Sequence, residues 1–357
     1  MTTRRGFMAG LLAAGALPQA TWGDAGAPVM LGAARDSAGA FGLAGLDSKG
    51  RQVFHIPLPA RGHAAAAHPI RPEAVAFARR PGIYALVIDC ATGHVAHEMQ
   101  APAGQHFYGH GVFVARGDIL CTTENHIDTG EGRIGFWSRV EGYRRIGEMP
   151  SGGVGPHDVR LLACDVLVVA NGGIRTHPDH GRDRLNIPDM RPNLFYLSLR
   201  DRAVVERVDL PPELHLNSIR HLAVGPDGQV AFAMQWQGDV LDPVPLLGLH
   251  RRGGKPVLAQ ADMAEQMAMR GYAGSIAFDG AGQSIGITSP RGGRLHVFDT
   301  KGAFKASHKR HDICALASGR AGFVASDGMG AILSVTDRLR LLTRHDGQAW
   351  DNHLVRL

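Results

Sequence analysis

The sequence predicts a single all-β domain, a seven-bladed β-propeller of four-stranded antiparallel blades. Short β-rich runs recur along the chain, Gly, Asp and Pro turns separate them, and no sustained helical period lies between them. The composition agrees, because 44% of the 357 residues are hydrophobic and 47 are glycines. Such a chain has enough apolar surface for a core and enough glycine for many tight turns.

The blade count comes from an internal repeat. One unit starts near Gly62 and contains four short runs, at 63–67, 73–78, 83–89 and 94–99. Its first run has counterparts along the chain, with anchor residues His63, His110, His157, His221, Ser275, His311 and His353. The anchors are 36 to 64 residues apart, and a propeller blade takes roughly 40–50 residues. An insertion loop at 174–193 accounts for the longest unit.

The two ends of the chain are predicted to share one blade. Only one strand follows the last anchor, whereas three β-rich runs at 28–34, 40–46 and 52–58 precede the first one. The C-terminal strand would then complete the N-terminal blade and remove the open edges of the ring. We therefore assign residues 28–357 to one domain and expect it to be a monomer.

The N-terminal residues 1–27 look like a twin-arginine signal peptide. Arg4 and Arg5 precede a short apolar stretch, 9–17, which is too short to anchor the chain in a bilayer. Cleavage is expected between residues 20 and 27. The prediction is a periplasmic protein with no membrane span after cleavage.

Several function classes find no support in the sequence. The formal net charge is +5 and the basic residues are dispersed, so no nucleic-acid partner is predicted. A C-x-x-C-H motif is missing, so we expect no covalent haem, and the glycines at 152–155 precede a strand rather than a helix, so we expect no nucleotide. Neither G-x-S-x-G nor H-E-x-x-H occurs. No catalytic residue can be assigned, and a non-catalytic protein is favoured.

The repeated histidines are the candidate site. Equivalent positions at the start of the inner strands would form a ring near one mouth of the channel. Imidazoles with a carboxylate suit iron or copper, and the predicted ligands are His63, His110, His157, His221, His311, His353 and Glu124. Polar residues where the second strands return to this mouth add Arg35, Gln235 and Asp327.

The insertion offers a second candidate cluster. Its residues combine metal-compatible spacing with basic side chains that could hold an anion, and they are Asn171, Arg175, His177, Asp179, His180 and Arg182. Because the loop leaves the end of a second strand, we expect it to lie over the same mouth. Long loops on rigid scaffolds often carry function.

A structural interpretation of the same residues stays open. In WD-type propellers a Gly-His pair before the inner strand tethers neighbouring strands by hydrogen bonds, and Gly62-His63 and Gly109-His110 look like that pair. The Trp-Asp partner dipeptide is missing at the third strands, which favours a ligand site. A polar loop such as the insertion can also be simply solvated.

A set of motifs spread over most of the chain resembles a bacterial family. They are Arg61-Gly62-His63, Phe77 to Gly82, Tyr108 to Gly111, Thr122 to Asn125, Gly155 to Asp158, Asn171 to Ile174 and Thr176 to Asp179. The family consists of twin-arginine-exported β-propellers of unknown function, often encoded near imelysin-type iron-uptake lipoproteins. The chain departs from the family at 64–67 and at His126.

This resemblance implies a cellular process, periplasmic iron or copper acquisition with imelysin-type partners. It does not imply a particular reaction. Three hypotheses follow. The first is a metal-binding propeller with iron or copper at the histidine-lined mouth. The second is a quinoprotein-like or lactonase-like enzyme that depends on Glu124 or Asp327. The third is a scaffold that binds a partner protein through the insertion.

Overall fold

The computed structural model describes residues 19–79, 83–181 and 183–357, and within them the chain forms seven four-stranded antiparallel sheets. The seven-bladed propeller predicted from the repeat is confirmed. The twin arginines Arg4 and Arg5 and the loop residue Arg182 lie outside the described residues. Each sheet is one blade, numbered 1 to 7 in chain order.

Blades 1 to 4 contain the first fifteen strands of the chain and the last one. Blade 1 consists of β1 Met30–Arg35, β2 Phe41–Leu46, β3 Gln52–Leu58 and β28 Ala349–Arg356. Blade 2 consists of β4 Gly62–Ala67, β5 Glu73–Ala78, β6 Ala85–Asp89 and β7 His94–Met99. Blade 3 consists of β8 Gln105–Val114, β9 Ile119–His126, β10 Glu131–Ser138 and β11 Arg144–Val154. Blade 4 consists of β12 Pro156–Leu162, β13 Val166–Asn171, β14 Asn193–Ser198 and β15 Ala203–Asp209.

Blades 5 to 7 follow the same pattern. Blade 5 consists of β16 Asn217–Val224, β17 Val230–Trp236, β18 Leu247–His250 and β19 Val257–Ala259. Blade 6 consists of β20 Ser275–Phe278, β21 Ser284–Ser289, β22 Arg294–Asp299 and β23 Phe304–Lys309. Blade 7 consists of β24 Ile313–Ser318, β25 Phe323–Asp327, β26 Ala331–Val335 and β27 Leu339–Arg344.

Within the described residues, helical structure is confined to connections. The α-helix α1, Met263–Ala268, joins blades 5 and 6, and Asp262 caps it by accepting the Glu265 amide at 3.1 Å. Short 3-10 turns lie at Ala115–Gly117, Ala163–Asp165, Pro178–His180, Ile187–Asp189 and Pro212–Leu214. Among the described residues, no helix is both long and apolar enough to cross a membrane.

The ring closes through the two ends of the chain, as predicted. The C-terminal strand β28 pairs antiparallel with β1, from Met30 opposite Arg356 to Arg35 opposite Ala349. The seven inner strands, β4, β8, β12, β16, β20, β24 and β28, contact one another in sequence, and β28 contacts β4. These strands therefore surround one central channel.

The sequence of the strands explains how the blades pack. Middle strands such as β13, Val166–Asn171, are buried along their whole length because neighbouring blades cover both faces. Outer strands such as β7, His94–Met99, are mostly exposed. The described residues form seven apolar core clusters, one between each pair of adjacent blades. This packing fixes the inner strands, and with them the residues at the channel mouth.

Candidate metal centre

A β-bulge recurs where an inner strand pairs with the second strand of its blade. The pairing shifts at or next to His63, His110, His157, His221 and His353. A bulge bends a strand locally and re-aims the side chain it carries. The same irregularity therefore presents an imidazole in five of the blades.

The five imidazoles form one cluster. Ring centroids of His63, His157, His221 and His353 make a closed circuit with neighbouring centroids 4.8–5.2 Å apart. The ring of His110 lies 4.8–5.9 Å from all four. The arrangement approximates a four-sided pyramid with His110 at its apex, and we call these five residues the histidine cluster.

A glycine makes room for the ring of His63 beside blade 3. Gly109 precedes His110 in the bulge of blade 3 and has φ of +104°, a conformation that favours glycine. A Cβ atom at this position would lie 2.4 Å from Cδ2 of His63. A side chain at residue 109 would therefore displace the ring of His63.

The cluster contains two groups of three nitrogen ligands. His63, His110 and His353 form one group, and His110, His157 and His221 form the other; in each, the ligand atoms lie within 4.8 Å of one another. Transition metals bind imidazole nitrogen at roughly 2.0–2.1 Å, so small side-chain rotations would allow either group to ligate one ion. His110 is common to both groups.

Burial keeps most of these imidazoles neutral. It is the largest cause that lowers the pKa of His63, His157 and His221 well below its ordinary value. Electrostatic interactions with neighbouring basic groups lower these pKa values further, chiefly those with His353 for His63 and His221, and with Arg220 for His157. Burial, followed by His110, lowers the pKa of His353 to about 3. Neutral imidazole is the form that binds metal ions.

Four buried nitrogen atoms of the cluster make no hydrogen bond. They are Nε2 of His110, Nδ1 of His157, Nδ1 of His221 and Nε2 of His353. A buried polar atom without a partner costs roughly 1–3 kcal/mol. Concentrated in one place, such atoms mark a site that a metal ion or another ligand would satisfy.

A buried carboxylate orients the shared ligand. Oδ1 of Asp158 lies 3.3 Å from Nδ1 of His110, and both side chains are nearly inaccessible. Asp158 also accepts the amides of Val159 at 2.8 Å and Leu222 at 2.9 Å. A carboxylate on one imidazole nitrogen fixes the ring so that the other nitrogen faces a metal, and the other nitrogen of His110 is the unpaired Nε2.

The charge of Asp158 is secured by its neighbours. Burial by itself would raise the pKa of Asp158, but Arg160 and His110 lower it below the ordinary value. Arg160 donates to the carboxylate at 3.2 Å. Asp158 therefore stays ionised and acts as the acceptor for His110.

One predicted ligand lies outside the cluster. His311 is exposed, in a turn before β24, whose first residue is Ile313. The bulge of blade 7 is formed instead by Cys314 and Ala315, between the paired residues Ile313 and Leu316. The alignment of His311 with the other anchors was therefore wrong by three or four residues.

The predicted ligand Glu124 also lies outside the histidine cluster. Its side chain is fully buried within blade 3, where Arg145 donates to both carboxylate oxygens at 2.7 and 2.8 Å. Thr122 donates at 2.6 Å and the Trp137 indole at 3.2 Å. A Cβ atom at Gly135 would lie 1.9 Å from Oε1, so this glycine makes room for the carboxylate. Glu124 belongs to neither group of potential metal ligands.

Two further polar residues at second-strand ends are engaged in the blades. Asn171 is buried and bonds to Ser151 and Asn193. Asp327 accepts hydrogen bonds from Nε of Arg310 at 2.7 Å and from the amides of Met329, in the following turn, and Ala331, at the start of β26. The side chains of Asn171 and Asp327 thus bond to neighbouring strands and turns, and neither belongs to a group of potential metal ligands.

The insertion does not assemble a metal site among the described residues. His177 accepts the amide of Asp179 at 3.2 Å, and its ring lies 5.4 Å from that of His180, but the Asp179 side chain is 87% exposed. Arg175 donates to the Asp128 carbonyl. Both groups of three potential ligands found in the described residues lie in the histidine cluster.

A cavity of about 480 Å³ opens above the cluster. His63, His157 and His221 line it, as do Gln235 and Tyr272. Four arginines also line it, Arg79, Arg184, Arg220 and Arg291. The predicted mouth residue Gln235 is thus in place, whereas Arg35 lines a separate cavity of about 280 Å³.

The sequence interpretation missed the residues that surround the cluster. Asp158 follows His157 directly, and Arg220 precedes His221, so both were adjacent to a predicted ligand. Arg79 and Arg291 lie just after the second strands β5 and β21. Their position in the repeat was a usable signal, because second-to-third strand loops lie at the same mouth as the starts of the inner strands.

The fold and the site together define a seven-bladed β-propeller with a histidine-lined channel mouth. A family model described as "Protein of unknown function (DUF1513)" matches residues 56–357, and the chain belongs to that family. The resemblance drawn from the motifs is thereby confirmed at the level of the family. No curated protein matches the sequence.

Solved propellers of low sequence identity are similar in structure. Hydrazine synthase of Kuenenia stuttgartiensis has a TM-score of 0.60 at 12% identity, covering 88% of this chain and 94% of that one. The Cps50 (Swd1) β-propeller domain of Myceliophteria thermophila has a TM-score of 0.58 at 10% identity, covering 84% and 93%. KlHsv2, with loop 6CD replaced by a Gly-Ser linker, has a TM-score of 0.53 at 13% identity, covering 86% and 92%. At these identities the likeness shows the fold alone.

Proposed function

We propose that this propeller binds a transition metal ion, iron or copper, at the histidine cluster. The observation that carries the proposal is the group of buried imidazole nitrogens without hydrogen-bond partners, four of them within one cluster. Depressed pKa values keep His63, His157, His221 and His353 in the neutral form that metals require. The Asp158–His110 contact supplies the orienting carboxylate.

The imidazole nitrogens of the cluster favour a transition metal over a hard cation such as calcium or magnesium. The two candidate groups contain only imidazole nitrogen, which suits copper, iron, nickel and zinc better than calcium or magnesium. For one site, the affinity of divalent ions rises from Fe²⁺ to Cu²⁺ and falls again at Zn²⁺. We therefore expect Cu²⁺ to bind most tightly in vitro, with iron as the weaker candidate.

Titration of the metal-free protein tests the proposal. Cu²⁺, Fe²⁺ and Zn²⁺ are added to the full chain and to His110→Ala, followed by calorimetry and elemental analysis after dialysis. The native chain should retain about one ion. Loss of the shared ligand His110 should weaken metal affinity by at least about 100-fold, because loss of a residue that only hydrogen-bonds to a metal ligand already weakens it by about 10–100-fold.

The control variant is His311→Ala, which removes an exposed histidine outside the cluster. It should bind metal like the native chain. Thermal unfolding of both variants separates loss of the site from loss of the fold. Retention of less than a tenth of an ion by the native chain, or equal affinity in His110→Ala, would overturn the proposal.

The cellular setting is part of the proposal. Arg4 and Arg5 support export by the twin-arginine route, and the family resemblance supports a role in iron acquisition beside imelysin-type proteins. We expect the exported protein in the periplasm as a monomer. Cell fractionation with an Arg4→Lys, Arg5→Lys double variant tests the route, and co-purification with imelysin-type proteins tests the partner.

No second function is proposed. An enzyme that depends on Glu124 or Asp327 would need one of these carboxylates to face a substrate. Arg145 holds the first and Arg310 holds the second, both at 2.7 Å.

A further inference from the structure

The cavity above the histidine cluster is lined by basic side chains, of which Arg79 is paired with Asp351 at 3.8 Å. Its described lining includes four arginines, Arg79, Arg184, Arg220 and Arg291, and no carboxylate side chain. Its volume of about 480 Å³ lies in the range of small-molecule sites, roughly 300–1,000 Å³. A concave surface lined by one sign of charge concentrates ligands of the opposite sign.

The four arginines reach the cavity from different blades. Arg79 follows β5 in blade 2, Arg184 comes from the insertion of blade 4, Arg220 lies in β16 of blade 5, and Arg291 follows β21 in blade 6. Their positive charges are therefore distributed around the mouth rather than directed at one point. This distribution fits an anion with several separated charges better than a compact one.

Neighbouring groups hold two of these guanidinium groups in place. Arg184 donates to Oε1 of Gln237 at 2.6 Å. Arg291 stacks over the ring of Tyr272 at 4.3 Å from the centroid, and the Tyr272 hydroxyl accepts from Asn352 at 3.3 Å. Both arginines are thus positioned at the cavity before any ligand arrives.

The floor of the cavity adds polar atoms that lack partners. His157 and His221 line the cavity, are 8% and 5% exposed, and each has an Nδ1 without a hydrogen bond. A ligand with several oxygen atoms could therefore contact both the arginines and these imidazoles.

We propose that this cavity binds a small polycarboxylate anion of the size of citrate. Planar guanidinium groups bind carboxylates through paired hydrogen bonds, and the spread of the arginines allows two or more carboxylates of one molecule to be bound together. The proposal goes beyond the metal site, since the arginines bind the anion whether or not an ion is bound by the histidines.

Calorimetry on the metal-free full chain tests this inference. Citrate, orthophosphate and acetate are titrated separately at low ionic strength into the native chain, Arg184→Gln and Arg291→Gln. Citrate should bind saturably, each variant should bind it about tenfold more weakly, and added salt should weaken binding further. Arg144→Gln is the matched control, because Arg144 is an exposed arginine of the outer strand β11 paired with Glu141.

The outcomes separate the alternatives. Orthophosphate binding as tight as citrate would overturn the polycarboxylate assignment in favour of a compact oxyanion. Citrate binding that is undiminished in both cavity variants, or that falls equally in Arg144→Gln, would show non-specific attraction and overturn the site. Because metal ions are omitted, failure here leaves the metal titration of the histidine cluster as an independent result.

Discussion

Two buried polar clusters of the propeller differ in how their atoms are satisfied. In blade 3, Glu124 accepts from Thr122, Trp137 and Arg145, and both carboxylate oxygens are bonded. In the histidine cluster, four buried ring nitrogens have no hydrogen-bond partner. Both clusters combine buried polar groups, yet only the second one has donor atoms left for a ligand.

Hydrogen bonding of the buried polar atoms therefore distinguishes structural from functional polar residues within this fold. A buried polar group that is fully bonded contributes to stability, and its loss leaves its partners unpaired. A buried group that is not bonded lowers stability and is retained for another reason, typically a ligand. The two clusters should therefore respond to mutation in opposite ways.

The largest expected effect on stability is at Glu124. Glu124→Ala removes the buried one of the two carboxylates that pair with Arg145, the other being Glu148, and leaves the Trp137 indole without one of its acceptors. We expect the free energy of unfolding to fall by about 3 kcal/mol, with metal affinity unchanged. Urea denaturation and metal titration measure the two quantities.

Glu141→Ala is the control for this variant, since its ion pair with Arg144 is exposed and should be worth less than about 1 kcal/mol. Equal stability losses in the two variants would contradict the structural role of Glu124. Loss of metal binding in Glu124→Ala without a loss of stability would instead indicate that Glu124 is a metal ligand.

The next effect is expected at Asp158. Asp158→Asn keeps an acceptor for one of the two backbone amides, those of Val159 and Leu222, but removes the charge that faces His110. Metal affinity should fall by about 10–100-fold, the usual effect of losing an outer carboxylate. Calorimetric titration measures the change, and an unaltered affinity would show that the Asp158–His110 contact is purely structural.

For each unit of pH, a smaller effect is expected from acidification. The pKa of His353 is about 3 in the fold and about 6.5 in the unfolded chain, so the unfolded chain takes up this proton first as the pH falls. The free energy of unfolding of the metal-free protein should therefore decrease below pH 6.5, with His353 contributing about 1.4 kcal/mol per pH unit.

Denaturation of the metal-free protein at several values between about pH 6 and pH 4 tests this contribution. His353→Gln should reduce the slope, whereas His311→Gln, at an exposed site, should leave it unchanged. Equal slopes in the native chain and in His353→Gln would mean that burial does not keep this imidazole neutral.

The smallest effect is expected in the insertion. His177→Ala removes a side chain that caps a short turn and lies outside both groups of potential ligands. Metal affinity should stay within about twofold of that of the native chain, less than 1 kcal/mol. A large loss of metal in this variant would shift the candidate site from the channel to the loop.

The sequence predicted the fold well because a propeller repeats its pattern seven times, and any single ambiguous strand is resolved by its counterparts. Closure by the C-terminal strand followed from the one strand after the last anchor and the three before the first. Five of the six anchor histidines meet in the structure for the same reason.

The rest of the site depends on strand pairing and side-chain direction, which the sequence repeat does not determine. The anchor His311 was misplaced because the position of a bulge within a strand is set by pairing with the next strand, here at Ile313 and Leu316. The direction of Glu124 depends on which face of the strand meets Arg145, a contact with a residue 21 positions away. The arginines at the mouth come from separate loops, and only the closed ring brings them together.

The closure of the ring also determines when the histidine cluster can be complete. His110, His157 and His221 come from three consecutive blades in the middle of the chain, and they can meet before synthesis ends. His353 lies in β28, which takes its place only by pairing with β1 at the other end of the chain. A polypeptide cut short before its last strand would therefore keep one group of three ligands and lose the other. The full cluster can form only after the two ends of the chain have paired.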